Sequence, residues 1–156
     1  MTRRPQVRDH GFSLVELVIV IVIIGIISAI AIPRMSRGAA GATDSALTSN
    51  LAILRSAIDL FQSDHNGTLP GATTIASQLT MCTDDTGTTN ATRTAAFPYG
   101  PYLRAIPALP VGTKKGLTKI AATNAADVGW VYNATSGTIQ AGASENDDTG
   151  KAYSAY

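Results

Sequence analysis

The chain has 156 residues, a length that suits a single domain. Twelve basic and eleven acidic residues give a net charge of +1, and no basic patch stands out, so no nucleic-acid partner is expected. The single cysteine, Cys82, excludes an intramolecular disulfide.

The first part of the chain is a basic tip followed by a long apolar stretch. Three arginines precede Gly11, and the 21 residues from Phe12 to Ile32 contain one ionisable side chain, Glu16. As a helix this stretch is about 32 Å long, which matches the hydrocarbon core of a bilayer, about 30 Å thick. The pattern therefore predicts a membrane-inserting helix over residues 12–33. Glu16 either reaches the headgroups or is protonated there, or is kept for a charged partner.

Two processing schemes compete for this N-terminus. A secretory signal peptide is cut after its apolar core, and Ala29-Ile30-Ala31 offers a suitable site. Such a core, however, has only about 7–15 residues, and Leu17 to Ile32 alone exceeds that length. The second scheme cuts before the apolar stretch, and the residues there favour it.

The segment Gly11-Phe12-Ser13-Leu14-Val15-Glu16-Leu17 resembles the N-terminal signature of the type IV filament proteins, which are the type IV pilins and the pseudopilins of type II secretion. The resemblance implies that residues 1–11 are a leader, which a prepilin peptidase removes between Gly11 and Phe12 before methylating the amine of Phe12. It implies an assembly role for Glu16, and a single pass through the bacterial inner membrane with the N-terminus in the cytoplasm. The implied partners are other copies of the subunit, the peptidase and the inner-membrane assembly platform, and the implied destination is a periplasmic or cell-surface filament.

Residues 34–65 are predicted to continue the helix as an amphipathic half. Pro33 and nearby glycines predict a kink, or a segment that can unwind when subunits pack in a fibre. Beyond them, a spacing of four and three residues is typical of a helix that lies on a core, and it relates Leu47, Leu51, Leu54, Ile58 and Phe61. Asn66 and Gly67 end the helix, and His65 is expected to complement the helix dipole there.

Residues 66–156 are predicted to form a small C-terminal β domain with loops. A short helix is expected over Thr74–Met81, and four prolines between residues 98 and 110 exclude regular helix there. Trp130–Tyr132 and Thr138–Ala141 flank a connection rich in turn residues, which predicts a hairpin with Trp130 in the core. Residues 117–122 could add a third strand. The expected fold class is α+β: a long N-terminal helix packed on a small antiparallel sheet, as in pilins.

Little in the sequence indicates catalysis. No nucleophile–base, P-loop or zinc motif is present, so no catalytic residue is expected, and Cys82 is interpreted as a small, half-buried apolar residue. No metal site or cofactor is expected. Calcium is the one cofactor considered, because Glu145, Asp147 and Asp148 could supply oxygen ligands, but a solvated acidic turn is favoured.

The expected function is that of a structural subunit in a type IV filament-like assembly. The missing disulfide and the segment Gly129-Trp130-Val131-Tyr132-Asn133 resemble a major type II secretion pseudopilin, which supports protein export. A type IV pilin, acting in adhesion, motility or DNA uptake, is the alternative. The rival from another class is a membrane-anchored or secreted binding module whose first segment is only an anchor or signal.

Overall fold

The computed structural model describes the backbone of residues 12–156, together with the side chains of residues 12–31 and 41–156. The described chain divides into two compact units, residues 12–39 and Ala40–Tyr156. Helix α1, Leu14–Asp64, contributes its first part to one unit and the rest to the other. Helix α1 continues through Pro33. That the segment around Pro33 unwinds when subunits pack in a fibre stays a prediction.

The first unit is one apolar helix. Its side chains from Phe12 to Ile27 are exposed, as expected for a helix that needs an apolar partner or lipid around it. Within the described chain, the stretch Leu14–Ala31 is long and apolar enough to cross a membrane, with a mean hydropathy of 3.0.

The second unit has an α+β fold. After α1 come α2 (Ile75–Thr80), β1 (Cys82–Thr83), β2 (Thr89–Asn90), β3 (Ile120–Ala121), β4 (Trp130–Tyr132) and β5 (Ile139–Ala141), and a 3-10 turn follows at Tyr153–Ala155. Strands β1 and β2 form an antiparallel pair. The second sheet has the order β3-β4-β5.

The predicted hairpin is the centre of the second sheet. Strands β4 and β5 are antiparallel, with Trp130 opposite Ala141 and Tyr132 opposite Ile139. In the connection, the N–H of Asn133 donates to the carbonyl of Thr138 at 2.9 Å, and the N–H of Gly137, whose φ is 72°, donates to the carbonyl of Asn133 at 2.8 Å. The third strand is also present, but it pairs with β4 in parallel. The three-stranded sheet is therefore mixed rather than wholly antiparallel.

The C-terminal end of α1 follows its predicted chemistry. Asn66 and Gly67 have φ values of 53° and 84°, in the left-handed region that ends many helices. The N–H of Gly67 donates to the carbonyl of Gln62 at 2.8 Å, and the side-chain amide of Gln62 donates back to the carbonyl of Gly67 at 3.1 Å. These bonds use backbone groups that the helix end leaves unpaired.

The core lies between the second half of α1 and the three-stranded sheet. Trp130 and Tyr132 are fully buried, and their polar ends donate to the carbonyls of Pro107 and Pro70 at 2.8 and 3.1 Å. The predicted stripe is confirmed, because each of its members is at most 2% exposed: Leu47, Leu51, Leu54, Ile58 and Phe61. The short helix and the helix-free proline segment are confirmed as well.

Candidate processing and assembly site

The N-terminus of α1 is organised by Ser13 and Glu16. Ser13 directly precedes the helix, and its carbonyl accepts the N–H of Leu17 at 3.2 Å. The carboxylate Oε2 of Glu16 accepts the backbone N–H of Ser13 at 3.1 Å. In a capping box, the acidic side chain at the third helical position reaches back to the residue that caps the helix in this way. Glu16 therefore satisfies a backbone donor of its own helix.

This contact adds a third role to the two considered for Glu16. The sequence signal was present, because Ser13-Leu14-Val15-Glu16 has the S-x-x-E spacing of a capping box. A carboxylate has about four acceptor positions, so the bond to Ser13 leaves capacity for a second donor. The side chain is exposed, and Glu16 is the one ionisable residue between Phe12 and Ala31.

The predicted cleavage point lies at the edge of the described chain. Phe12 is 80% exposed, whereas Gly11 lies outside the described residues. A new amine on Phe12 would stand one residue before the Ser13 N–H that Glu16 accepts. The predicted methylation residue, Phe12, and the predicted assembly residue, Glu16, thus lie within five consecutive positions of the described chain.

Residues 7–32 fit the family model of the prokaryotic N-terminal methylation motif. The chain carries this motif. It indicates a type IV pilin-like or pseudopilin protein, and such motifs imply processing by a prepilin peptidase, membrane anchoring and filament self-assembly in general. No curated protein and no solved structure matches the chain.

The methylation motif marks a structural family, which is in keeping with the scarcity of catalytic motifs in the sequence. The structure buries Cys82 at 4% exposure in β1, somewhat deeper than predicted. His65 lies at the C-terminal end of α1, and its predicted interaction with the helix dipole stays a prediction. Its side chain is buried and stacked on Phe61, because the turn before β2 folds over it.

The acidic tail is held by hydrogen bonds. Asp147 is buried, and its Oδ1 accepts the N–H and hydroxyl of Thr149 and the N–H of Lys151, while Oδ2 accepts the hydroxyl of Tyr156. These donors, Tyr156 foremost, hold the pKa of Asp147 well below its usual range. The favoured solvated turn is thus wrong for Asp147, although Asp148 is exposed.

Glu145 fixes a second loop to the tail. Its Oε1 accepts the backbone N–H of Thr113 at 2.8 Å, and bonds from Thr113 lower the pKa of Glu145 from about 4.5 to about 2. Among the residues that the structure describes, no group of three His, Cys, Asp or Glu side chains is placed to hold a metal ion.

Proposed function

We propose that the chain is a structural subunit of a type IV filament-like assembly, and specifically a type II secretion pseudopilin that supports protein export. The observation that carries the proposal is the methylation motif at residues 7–32, joined to an exposed apolar helix and a small α+β unit. The subunit is stored in the inner membrane with its N-terminus in the cytoplasm. It loses residues 1–11, is methylated on Phe12, and then stacks with other copies through the assembly platform.

Glu16 is assigned the pairing role within this proposal. Cleavage creates a positive amine on Phe12 at the start of a helix that enters an apolar fibre core. An opposite charge in such a core attracts strongly, while either charge alone is costly to bury. The carboxylate of Glu16 neutralises the amine of the same or the neighbouring subunit, and subunits that slide out of register leave both charges unpaired.

The choice of a pseudopilin over a pilin rests on the globular unit. The chain has one cysteine, so the disulfide that closes many major pilins cannot form. The second unit is instead closed by buried aromatic side chains and by the hydrogen-bonded tail. The tail is proposed to do this without a metal, since both oxygens of Asp147 already accept protein donors. A calcium-dependent rise in melting temperature, lost in Asp147→Ala, would overturn this last point.

Gene deletion distinguishes the two systems. A pseudopilin deletion lowers the amount of exported protein and leaves surface motility and adhesion unchanged. Complementation with the wild-type gene restores export, whereas Gly11→Val, which blocks leader removal, does not. Gly25→Val is the matched control, because it makes the same change at a glycine with no atom within 4 Å of an added Cβ. Normal export with lost twitching, adhesion or DNA uptake would identify a pilin instead.

A further inference from the structure

The imidazole of His65 faces two hydrogen-bond acceptors in the second unit. The side chain is 2% exposed. Its Nδ1 lies 2.7 Å from the carbonyl oxygen of Phe61, in the last turn of α1. Its Nε2 lies 2.9 Å from the carbonyl oxygen of Asp84, in the turn that joins β1 to β2. The ring therefore spans the end of the helix and a turn nineteen residues further along the chain.

Counting donors determines the protonation state that fits this geometry. A backbone carbonyl can only accept, and a neutral imidazole has a single N–H donor. A neutral ring would point a nitrogen lone pair at one of the two carbonyls, whereas an imidazolium donates to both. We infer that His65 is held as a buried imidazolium, and that its proton staples the β1–β2 turn to the C-terminal end of α1.

The neighbouring groups favour a positive charge at this position. The carbonyls of the last helical turn carry the negative end of the helix dipole. The ring of Phe61 stacks on the imidazole, with 3.8 Å between centroids and 9° between planes, an arrangement that a cation strengthens. The carboxylate of Asp64, on α1, accepts the hydroxyl of Tyr102. The same loop carries Tyr99, whose ring centroid lies 5.3 Å from that of His65.

The β1–β2 turn and the chain beyond β2 carry two further carboxylates and one guanidinium. Asp84 and Asp85 belong to the turn itself, and Asp85 interacts with Tyr99. Arg93 donates to the carbonyl of Gly100, in the loop that carries Tyr99 and Tyr102.

The turn that contributes the second acceptor is itself fixed. The carboxylate Oδ1 of Asp84 accepts the N–H of Thr86 at 2.9 Å, the hydroxyl of Thr86 at 2.7 Å and the N–H of Thr88 at 2.9 Å. The carbonyl of Asp84 also accepts the N–H of Gly87 at 3.0 Å. A bare Nε2 would face the carbonyl oxygen of Asp84, and the fixed turn could not rotate that carbonyl away. Loss of the proton from Nε2 would therefore weaken the link between the turn and α1.

Nuclear magnetic resonance of the full chain in detergent micelles tests the protonation state. The imidazole nitrogens are observed at pH 7 in protein labelled with ¹⁵N, and the His10→Gln variant assigns the signals of His65. We expect a proton on each ring nitrogen of His65 in the folded protein. One protonated and one bare nitrogen would overturn the inference.

Discussion

Glu16 combines a local contact with a proposed intermolecular one. Its carboxylate accepts the N–H of Ser13 and so completes the first turn of α1. The proposed amine partner would use the remaining acceptor capacity of the same group. The two roles differ in what they require: capping needs only an acceptor, while pairing in an apolar core needs the negative charge.

Two substitutions of Glu16 separate these roles. Glu16→Gln keeps an acceptor for the Ser13 N–H and removes the charge, whereas Glu16→Ala removes both. We expect normal leader processing and membrane retention in both variants, since an insertion cost is removed, and a strong loss of filament yield in both. A defect confined to Glu16→Ala would show that capping is the role, and normal filaments from both would contradict the pairing.

Gly129 provides a test of the sheet at the same scale. A Cβ at this position would lie 2.4 Å from the carbonyl oxygen of Leu117, which is backbone and cannot move aside easily. Gly129→Ala should therefore lower the free energy of unfolding by about 1–3 kcal/mol. Gly41→Ala is the control, because nothing lies within 4 Å of its added Cβ, and alanine in a helix stabilises by about 1 kcal/mol over glycine. Urea midpoints measure both. Equal effects would show that Gly129 is not held against the backbone of Leu117.

At the level of elements, the second half of α1 is the principal apolar contributor to the core. Leu54 is fully buried, whereas its neighbour Ile53 is 45% exposed. Leu54→Ala should destabilise the second unit by about 2–5 kcal/mol, and Ile53→Ala by less than about 0.5 kcal/mol. Chemical denaturation of the two variants in parallel measures the difference. Similar losses from both would place the buried face of the helix elsewhere.

The C-terminal tail predicts a dependence on acid. The pKa of Glu145 is lowered to about 2 and that of Asp147 further still. Their contribution to stability is present above the ordinary carboxyl pKa, near 4, and is lost as the pH falls toward their folded values. Urea midpoints should therefore drop between pH 4.5 and pH 2.5, and Glu145→Gln should flatten the drop. An unchanged midpoint over this range would contradict the contacts of the tail.

The alkaline side of the same tail involves Tyr156. Its hydroxyl donates to Asp147, and this bond raises the pKa of Tyr156 to about 12. The contribution of the bond is present below about pH 10 and is lost as the pH rises toward 12. Tyr156→Phe removes only the hydroxyl. It should lower stability at pH 7 and bring the pKa of Asp147 closer to the ordinary range.

What the sequence could predict depended on how local each signal is. The stripe from Leu47 to Phe61 was readable because a helix repeats every 3.6 residues, and the β4–β5 hairpin because its connection contains turn residues. The parallel pairing of β3 with β4 could not be predicted from the sequence, since no short sequence pattern specifies the register of these two segments. The burial of His65 was missed for a similar reason: its cover comes from the distant turn at Asp84.

At the candidate site, the sequence predicted the methylation motif but not the hydrogen bond that Glu16 accepts from Ser13. The spacing of Gly11, Phe12 and Glu16 predicted the methylation motif, and the family match over residues 7–32 confirms the motif. The capping bond of Glu16 was overlooked because the charge of the residue suggested a distant partner rather than the N–H three residues earlier.

For the whole molecule, the two units pose different physical problems. The second unit buries its own apolar side chains, while the first exposes a helix with a mean hydropathy of 3.0 over Leu14–Ala31. Such a helix is stable in lipid, where its backbone is satisfied internally, or among other apolar helices. The proposed filament subunit would use both environments in turn, lipid during storage and other apolar helices after assembly.

The N-terminus of the mature chain tests this account most directly. The protein is expressed with a prepilin peptidase, purified from membranes, and analysed by N-terminal sequencing and mass spectrometry. We predict that Phe12 is the first residue and that its amine carries a methyl group, while Gly11→Val leaves the leader in place. A chain that begins at Met1 or Thr2 would indicate a plain membrane anchor, one that begins at Ile32 a secretory signal, and either result would contradict the filament subunit.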